Sequence, residues 1–538
     1  MVTIRRAVQQ DVEQICDIFR DTYGRDYAYP QYYDVDYLTR MVYHDDTVLL
    51  VAEDPETRRL LGTASVLLDF GAYADLVGEF GRLAVRPEAR GHGVGRKLME
   101  GRLKRVKDRL HVGLSEPRVV HPFSQRITVK QGFAPVGFLP LQLKFKRRES
   151  VALCARYFGS AIELRQSHPR IIPEVCPLAA MALENCQIPC DSIVDEAAPA
   201  YPLIEDFTVD ELTTEGYASL LRIQRGRVAK REIFGPLRLH YGMFKLRSKH
   251  STYLVARRDG KVAGAIGFTV DNVENNVRIF ELISSGSRPI RYLLEELMRR
   301  CRGAWGIEYV EADVSAYAPR MQRTLLELGF LPAAYIPALA FHEVERLDAV
   351  RMVCLLAEPK FEDDLIPEVE PLAELVTRSF VERYVQPKVA AATSKMALFR
   401  GLSDEQVQRL AALCRLTKYQ QGSTIFRRSE PSVQLLTVLA GEISVQLGSD
   451  EASTRRAGTF ESVGEMSLLS GEPHSASAVA ATDVEVAEIS HAELQQLIRQ
   501  RPDIGVIVYR NLASGLSDKL RSTEAQLNPP QDIRTGPR

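Results

Sequence analysis

Hydrophobic positions set the first outline. Ile4 and Ala7 open a short strand, and Val12 through Phe19 follow at helical spacing. Residues 47–53, Thr-Val-Leu-Leu-Val-Ala-Glu, predict a second strand. A turn at Asp54-Pro55-Glu56-Thr57 leads to a third over residues 60–68. Residues 79–85 predict another strand. After a glycine-bearing bend, Val94, Leu98, Met99, Leu103, Val106 and Leu110 form one apolar stripe of a helix. Residues 118–121 predict a further strand, and residues 122–131 a helix closed by Gly132.

The pattern then recurs. Pro-Phe-Ser-Gln-Arg-Ile-Thr-Val-Lys-Gln-Gly-Phe from Pro122 returns as Pro-Arg-Met-Gln-Arg-Thr-Leu-Leu-Glu-Leu-Gly-Phe from Pro319. Residues 253–270, turning at Arg257-Arg258-Asp259-Gly260, mirror the hairpin of residues 49–68. A helix over 289–301 and a strand over 349–356 complete the copy. The boundaries read as a first domain 1–160, a linker 161–204 with a helix over 177–185, and a second copy 205–360. A helical connector 361–390 follows, with a kink or break predicted at Pro387. Residues 391–527 hold a short helix over 404–413 and short glycine-punctuated strands at 423–426, 434–440 and 441–447. A helix over 502–527 ends that module, and the Pro-rich tail 528–538 is expected to be disordered.

Composition narrows the class. A chain of 538 residues is too long for one core. Its net charge of −1 gives no field that would draw nucleic acid or an anionic membrane. No apolar run nears the roughly 18 residues of a membrane span, and the N-terminus lacks an apolar signal core, so a cytoplasmic location is expected. The 8 cysteines are scattered. Cys176, Cys186 and Cys190 have no zinc-like spacing, so buried free thiols and no metal are expected.

The chemistry gathers between Glu79 and Met99. Strand, glycine-rich turn and helix start make an anion site, because glycine admits positive φ and the first helical N–H groups lack partners. The Walker spacing is absent, and Gly91, Gly93 and Gly95 do not fit the dinucleotide fingerprint. What fits is Arg-x-x-Gly-x-Gly at Arg90, Gly93 and Gly95. With the preceding Leu-Ala-Val-Arg-Pro, it resembles the acyl-CoA motif of the GNAT superfamily of N-acyltransferases.

The resemblance implies that Leu83, Ala84 and Val85 pair with pantetheine, while Arg90, Gly91, His92, Gly93, Val94, Gly95 and Arg96 hold the pyrophosphate of acetyl-CoA. A primary amine then attacks the thioester. A lysine amine, with a pKa of about 10.4, must first lose a proton. Glu79 is the candidate base, with a solvated strand-end carboxylate as the alternative. The position of the family's acid tyrosine holds Thr128, and Ser124 lies one turn earlier. The tyrosines between 23 and 43 are expected to pack and to wall the acceptor pocket. The basic residues of the helix after the loop, Arg102 among them, read as a solvated face. In the second copy Gly286 stands alone in place of the motif, so that copy is expected to be structural or to shape the acceptor site. The alternative is CoA binding through residues 284–288.

Gly464 to Ala480, with Leu-Leu-Thr-Val-Leu-Ala-Gly-Glu-Ile-Ser-Val before it, resembles a cyclic-nucleotide-binding domain. The resemblance implies that Gly464, Glu465, Met466, Ser467, His474, Ser475 and Ala476 line the nucleotide. Glu465 takes the ribose hydroxyl. His474 stands where the family places its phosphate-clamping arginine, which weakens the site or selects another ligand. The fold class is therefore α/β (α+β) and multidomain: two GNAT-like mixed sheets and a C-terminal β-barrel with flanking helices. The function read is an acetyl-CoA-dependent N-acetyltransferase for protein lysine, regulated by cyclic AMP or another cyclic nucleotide. A small-molecule amine acceptor and a non-catalytic acyl-CoA sensor are the alternatives. Neither nucleic acid nor membrane is an expected partner, and a homodimer through the last helix is.

Overall fold

The computed structural model describes residues 2–24, 27, 29–68, 75–212, 231–235, 249–446 and 454–527. The tail expected to be disordered lies outside them. The chain divides into two compact units, Met1–Arg378 and Ser379–Arg538.

Among the described residues of the first unit, 15 strands join one sheet. Its first half comprises β1 (Thr3–Arg6), β2 (Thr47–Glu53), β3 (Leu60–Leu67), β4 (Val77–Val85), β5 (Val112–Ser115), β6 (Ala134–Lys144) and β7 (Arg148–Tyr157). Helices α1 (Val12–Tyr23), α2 (Val35–Tyr43), α3 (Val94–Val106) and α4 (Pro122–Lys130) belong to this half. β2 is buried along its whole length, which is why it reads as an unbroken apolar run. Asp34 caps α2 by accepting from the N–H groups of Asp36 and Tyr37. The strand order is β1-β2-β3-β4-β5-β7-β6, antiparallel except for β4 beside β5.

β8 (Arg170–Ile171) and β9 (Ile193–Val194) form a small parallel pair around α5 (Cys176–Asn185). The second half then uses β10 (Thr208–Glu211), β11 (Ile233–Phe234), β12 (Lys249–Arg258), β13 (Lys261–Asp271), β14 (Asn276–Ser284), β15 (Tyr309–Ser315), β16 (Leu331–His342) and β17 (Glu345–Leu355), with α6 (Arg288–Arg302) and α7 (Pro319–Glu327). Its order, β10-β12-β13-β14-β15-β17-β16, repeats that of the first half, again with one parallel pair, β14 beside β15.

The halves meet where β6 pairs with β16 at Gly137 and Ala334. Only glycine fits there: a Cβ on Gly137 would lie 2.1 Å from that of Ala334. α5 buries Leu178, Ala179, Ala182 and Leu183, and Asn185 donates to the Pro135 carbonyl at 2.9 Å. Much of the stretch read as a linker is thus packed structure, because its small and apolar residues cover the seam. Two arginines, half-buried Arg148 and buried Arg346, brace the halves reciprocally. Arg148 donates to the Leu141 carbonyl at 2.7 Å and to that of Glu274, ahead of β14, at 2.6 Å. Arg346 donates to the Ala338 carbonyl at 2.6 Å and to that of Asp75, ahead of β4, at 2.8 Å. Leu141 and Ala338 both have positive φ, at register shifts in β6 and β16.

The predicted strand over 118–121 is a correction: the strand is β5, and Arg118 makes only an isolated bridge to Val151. Pro117 has no N–H to offer a ladder, so the β-branched Val119-Val120 run does not extend the pairing. α8 (Glu370–Thr393) runs through Pro387, so of the kink or break expected there the break does not occur. Buried Val376, Phe380, Val389 and Ala392 on both sides hold it by packing.

The second unit contains α9 (Asp404–Ala411), then β18 (Cys414–Tyr419), β19 (Thr424–Phe426), β20 (Gln434–Ala440), β21 (Ile443–Gln446), β22 (Thr454–Ala457), β23 (Ser462–Val463), β24 (Ser477–Ala480) and β25 (Val484–Ser490). α10 (Glu465–Ser470), α11 (His491–Gln500) and α12 (Pro502–Leu527) complete it. The strands form two four-stranded sheets, β18-β25-β20-β23 and β19-β24-β21-β22. Leu436, Val438 and Val486 of one meet Ile443, Ala478 and Ala480 of the other in a shared core. The predicted barrel takes the form of this sandwich.

Candidate functional site

β4 and β5 pair in parallel at Val77–Val112, Gly78–Gly113 and Glu79–Leu114, and their register ends there. Beyond Glu79, β4 bulges against β3: Arg82 has φ +54° and the pairing jumps from Gly81 to Ala84. Arg102 of α3 fills the place of the missing ladder bonds. Its guanidinium donates to the carbonyls of Ser65 and Gly81, both at 3.0 Å. This corrects the reading of Arg102 as part of a solvated face. It is buried, and burial pulls its pKa down to about 9.

The loop after β4 turns into α3 through Gly91 (φ +79°) and Gly93 (φ +75°), with open space where a Cβ would stand. The first helical bond closes from Lys97 N–H to the Gly93 carbonyl at 3.1 Å. The N–H groups of Val94, Gly95 and Arg96 thus precede any intrahelical acceptor. Gly95 lets α3 approach α4, since a Cβ would lie 3.1 Å from Ile127 Cδ1. Arg90 Nε turns back to the Val85 carbonyl at 3.4 Å, and Arg96 is exposed. Leu83 and Val85 are half-buried beside this loop, and Ala84 is buried. Loop, bulge and parting strands therefore adjoin one another.

Glu79 is ion-paired with Arg82, whose guanidinium lies 5.1 Å from the centre of the Tyr29 ring. Burial works against the Arg82 charge, but Glu79 and the phenols of Tyr32, Tyr29 and Tyr27 hold it, and its pKa is raised. Tyr23, Tyr27 and Tyr32 pack around Phe19, Tyr29 meets Tyr27 and Tyr32 edge-on, and Tyr23 stacks on Tyr27 at 4.4 Å. Burial pushes the Tyr27, Tyr29 and Tyr32 phenols above their ordinary range. On α4, Ser124 Oγ donates to the Arg118 carbonyl at 3.3 Å, and Thr128 is 3% exposed.

Two residues here escaped the sequence reading. His121, the N-cap of α4, carries a buried Nδ1 without a hydrogen-bond partner among the described residues; burial and Arg118 lower its pKa. Glu116 follows β5 directly and meets Arg351 Nη1 at 3.1 Å. Placing the strand at 118–121 hid both, because it put Glu116 in a loop and His121 inside a strand.

The second half treats the same place differently. β14 and β15 also part, after Ile279 and Ala312. Here β11 pairs with β15, Ile233 to Val314 and Phe234 to Asp313, and Gly235 lies against β14, where a Cβ would be 2.3 Å from that of Phe280. Residues 233–235 thus stand between the two strands. Among the described residues no strand fills the matching gap between β4 and β5. Loop amides are engaged too: Ser285 N–H reaches the Ala263 carbonyl at 2.8 Å and Gly286 N–H reaches Ser284 Oγ at 3.2 Å.

In the second unit Gly464 (φ +93°) caps α10 and Glu465 opens it, buried. Its carboxylate is ion-paired with Lys519 of α12, which also donates to the Ser462 carbonyl at 2.6 Å. His474 is buried and stacked on Phe426 at 3.8 Å and 7°. Burial lowers its pKa. Ser467 and Ala476 are buried, Met466 is exposed, and Ser475 Oγ lies 3.7 Å from the Met466 sulfur. Among the described residues no cluster of three or more His, Cys, Asp or Glu is placed to hold a metal, and no helix is long and apolar enough to cross a membrane. Cys16, Cys154, Cys301, Cys354 and Cys414 are buried and outside any disulfide, as are half-buried Cys176 and Cys186 and exposed Cys190.

Residues 12–125 match the model of the acetyltransferase (GNAT) family, and residues 416–501 that of the cyclic nucleotide-binding domain. The cyclic AMP receptor protein of Thermus thermophilus is 34% identical over 134 residues, 24% of this chain and 60% of that protein. The cAMP-dependent protein kinase regulatory subunit of Colletotrichum orbiculare is 29% identical over 104 residues, 19% of this chain and 27% of that protein. This chain thus spans less than two thirds of either relative. Among solved structures, the Thermus thermophilus catabolite activator protein aligns at 32% identity and a TM-score of 0.22, over 24% of this chain and 61% of that one. A cyclic nucleotide-binding domain from Methylobacillus flagellatus aligns at 24% identity and a TM-score of 0.25, over 27% and 84%. The chain therefore carries a segment of the GNAT acetyltransferase family toward its N-terminus and a cyclic nucleotide-binding domain toward its C-terminus.

Proposed function

We propose that the first half of the first unit transfers an acetyl group from acetyl-CoA to a primary amine, a protein lysine, and that the second unit regulates this through a cyclic nucleotide. The observation that carries the reading is the Arg90–Gly95 loop with two positive-φ glycines, set beside the parting of β4 and β5, within the segment that matches the acetyltransferase family. Val94, Gly95 and Arg96 amides would hold the diphosphate. Main chain at Leu83–Val85, opened by the bulge, would align pantetheine and offer an N–H to the developing oxyanion. Glu79 and the tyrosines would line the acceptor side. His121 would be placed, with Ser124, to hydrate or protonate the leaving thiolate. We read the second half as a copy of the same fold that no longer takes CoA.

The test is thiol release. Purified protein would receive acetyl-CoA and a lysine-rich protein mixture, with and without cyclic AMP. The reading expects free CoA and acetyl-lysine to appear together, at a rate that cyclic AMP changes. Release with spermidine but never with protein would move the acceptor to small amines. Tight acetyl-CoA binding without turnover on any amine would make the protein a sensor.

A further inference from the structure

Resting on the acetyltransferase reading, we infer that Glu116 is the general base that deprotonates the acceptor amine, held in position by Arg351 from the second half. The placement comes from the sheet. Val112, Leu114 and Glu116 alternate to one face of β5 and its continuation, and Leu114 is the register partner of Glu79. Phe80 and Gly113 point to the other face, where Arg102 of α3 lies over the Phe80 ring. Glu79 and Glu116 therefore share the face on which the tyrosines pack, at the point where β4 and β5 separate.

The two carboxylates are held differently. Glu79 is claimed by Arg82, a near neighbour on its own strand. Glu116 has Arg351 as its one hydrogen-bonding partner among the described residues, through Oε1 alone. Arg351 spends its other contacts on Asp313, at 2.7 and 3.0 Å. One guanidinium thus serves two carboxylates, and Glu116 takes the smaller share. Glu116 stands six residues before Pro122 and Asp313 six before Pro319, so the two are the same position in the two halves. Leu153, across the seam, has no charge to match Arg351, which leaves this bridge one-sided. Gly137 and Ala334, the small pair at the seam, lie in register between Leu153 and Arg351.

The surroundings of Glu116 are mixed. Burial pushes its pKa up to about 7, with Glu79 and Glu311 adding to the rise and Arg351 and Arg278 opposing it. Tyr29 and Tyr309 also face it. Its side chain keeps 17% exposure, enough for a proton to leave to solvent. A base near neutrality suits the task. The Glu116 carboxylate takes one proton from the alkylammonium. The freed nitrogen pair forms the C–N bond at the thioester carbon. Collapse of the tetrahedral adduct breaks the C–S bond, the thiolate takes the second nitrogen proton, and Glu116 returns its proton to solvent.

The experiment uses the full chain, acetyl-CoA and polylysine, with kcat/KM measured from pH 5.5 to 9. Wild type is expected to show an acid limb near pH 7, and Glu116→Gln to lose the limb and about a hundredfold in rate at pH 7.5. CoA binding by calorimetry should be unchanged in that variant, which shows it is folded. Arg351→Lys should keep a limb, displaced in pH, because a point charge cannot bridge both carboxylates. Glu116→Gln with the wild-type rate and limb overturns the assignment, as does a limb removed by Glu79→Gln alone. A wild-type chain that binds CoA yet releases no thiol with any amine overturns the transfer reading as well, an outcome no Glu116 variant can imitate.

Discussion

Gly93 shows how a single residue type can carry a site. Its φ of +75° is a conformation that costs a side chain roughly 1–2 kcal/mol, yet the space around it is open. Gly93→Ala should therefore fold, with the strain expressed in the loop rather than in the core. We expect its CoA affinity to fall about tenfold, the equivalent of about 1.4 kcal/mol, in a calorimetric titration. An unchanged affinity would show that the loop geometry is not used. Residues of this kind were legible in the sequence because glycine alone adopts such a backbone without a steric cost. Arg102 and Glu116 were not. A basic residue on a helix reads as solvated unless the fold offers it bare carbonyls, and Arg102 meets two created by the bulge in β4. Glu116 was hidden by a strand boundary set a few residues too late.

At the scale of elements, α12 is the informative one. The sequence placed it over 502–527, and the helix starts at Pro502 and runs to the last described residue because its apolar spacing is sustained. Nothing in that spacing said that Lys519 would reach Glu465, since the contact joins residues far apart along the chain. The carboxylate expected to take a ribose hydroxyl is thus already paired within the unit. His474, meanwhile, lies flat on Phe426 instead of presenting a clamp. Lys519→Met should release Glu465 and tighten cyclic AMP binding about tenfold, since a hydrogen bond to a charged group contributes about 1.5–3 kcal/mol. An identical dissociation constant in wild type and variant would show that the pair does not compete with the nucleotide. β2, β20 and α4 were equally readable, being an unbroken apolar run, a short apolar strand closed by Gly441, and a helix with Pro at its start and Gly at its end.

On the scale of the whole molecule, the first unit is one fold written twice and then made unequal. The repeated Pro, Gln-Arg and Gly-Phe spacing falls in two halves whose strand orders match. What the sequence concealed is how the halves depend on each other. Arg148 and Arg346 each brace the approach to the other half's parting strand, and Arg351 reaches from one half to Glu116 in the other. Such contacts join residues more than a hundred positions apart, beyond the reach of local patterns. Among the described residues, the inequality lies in the gap between parallel strands, filled by residues 233–235 in the second half and by no strand in the first. Counting sites tests this account most directly. Calorimetric titration of CoA into the full chain should give one site per chain, and two sites, or no binding, would contradict it.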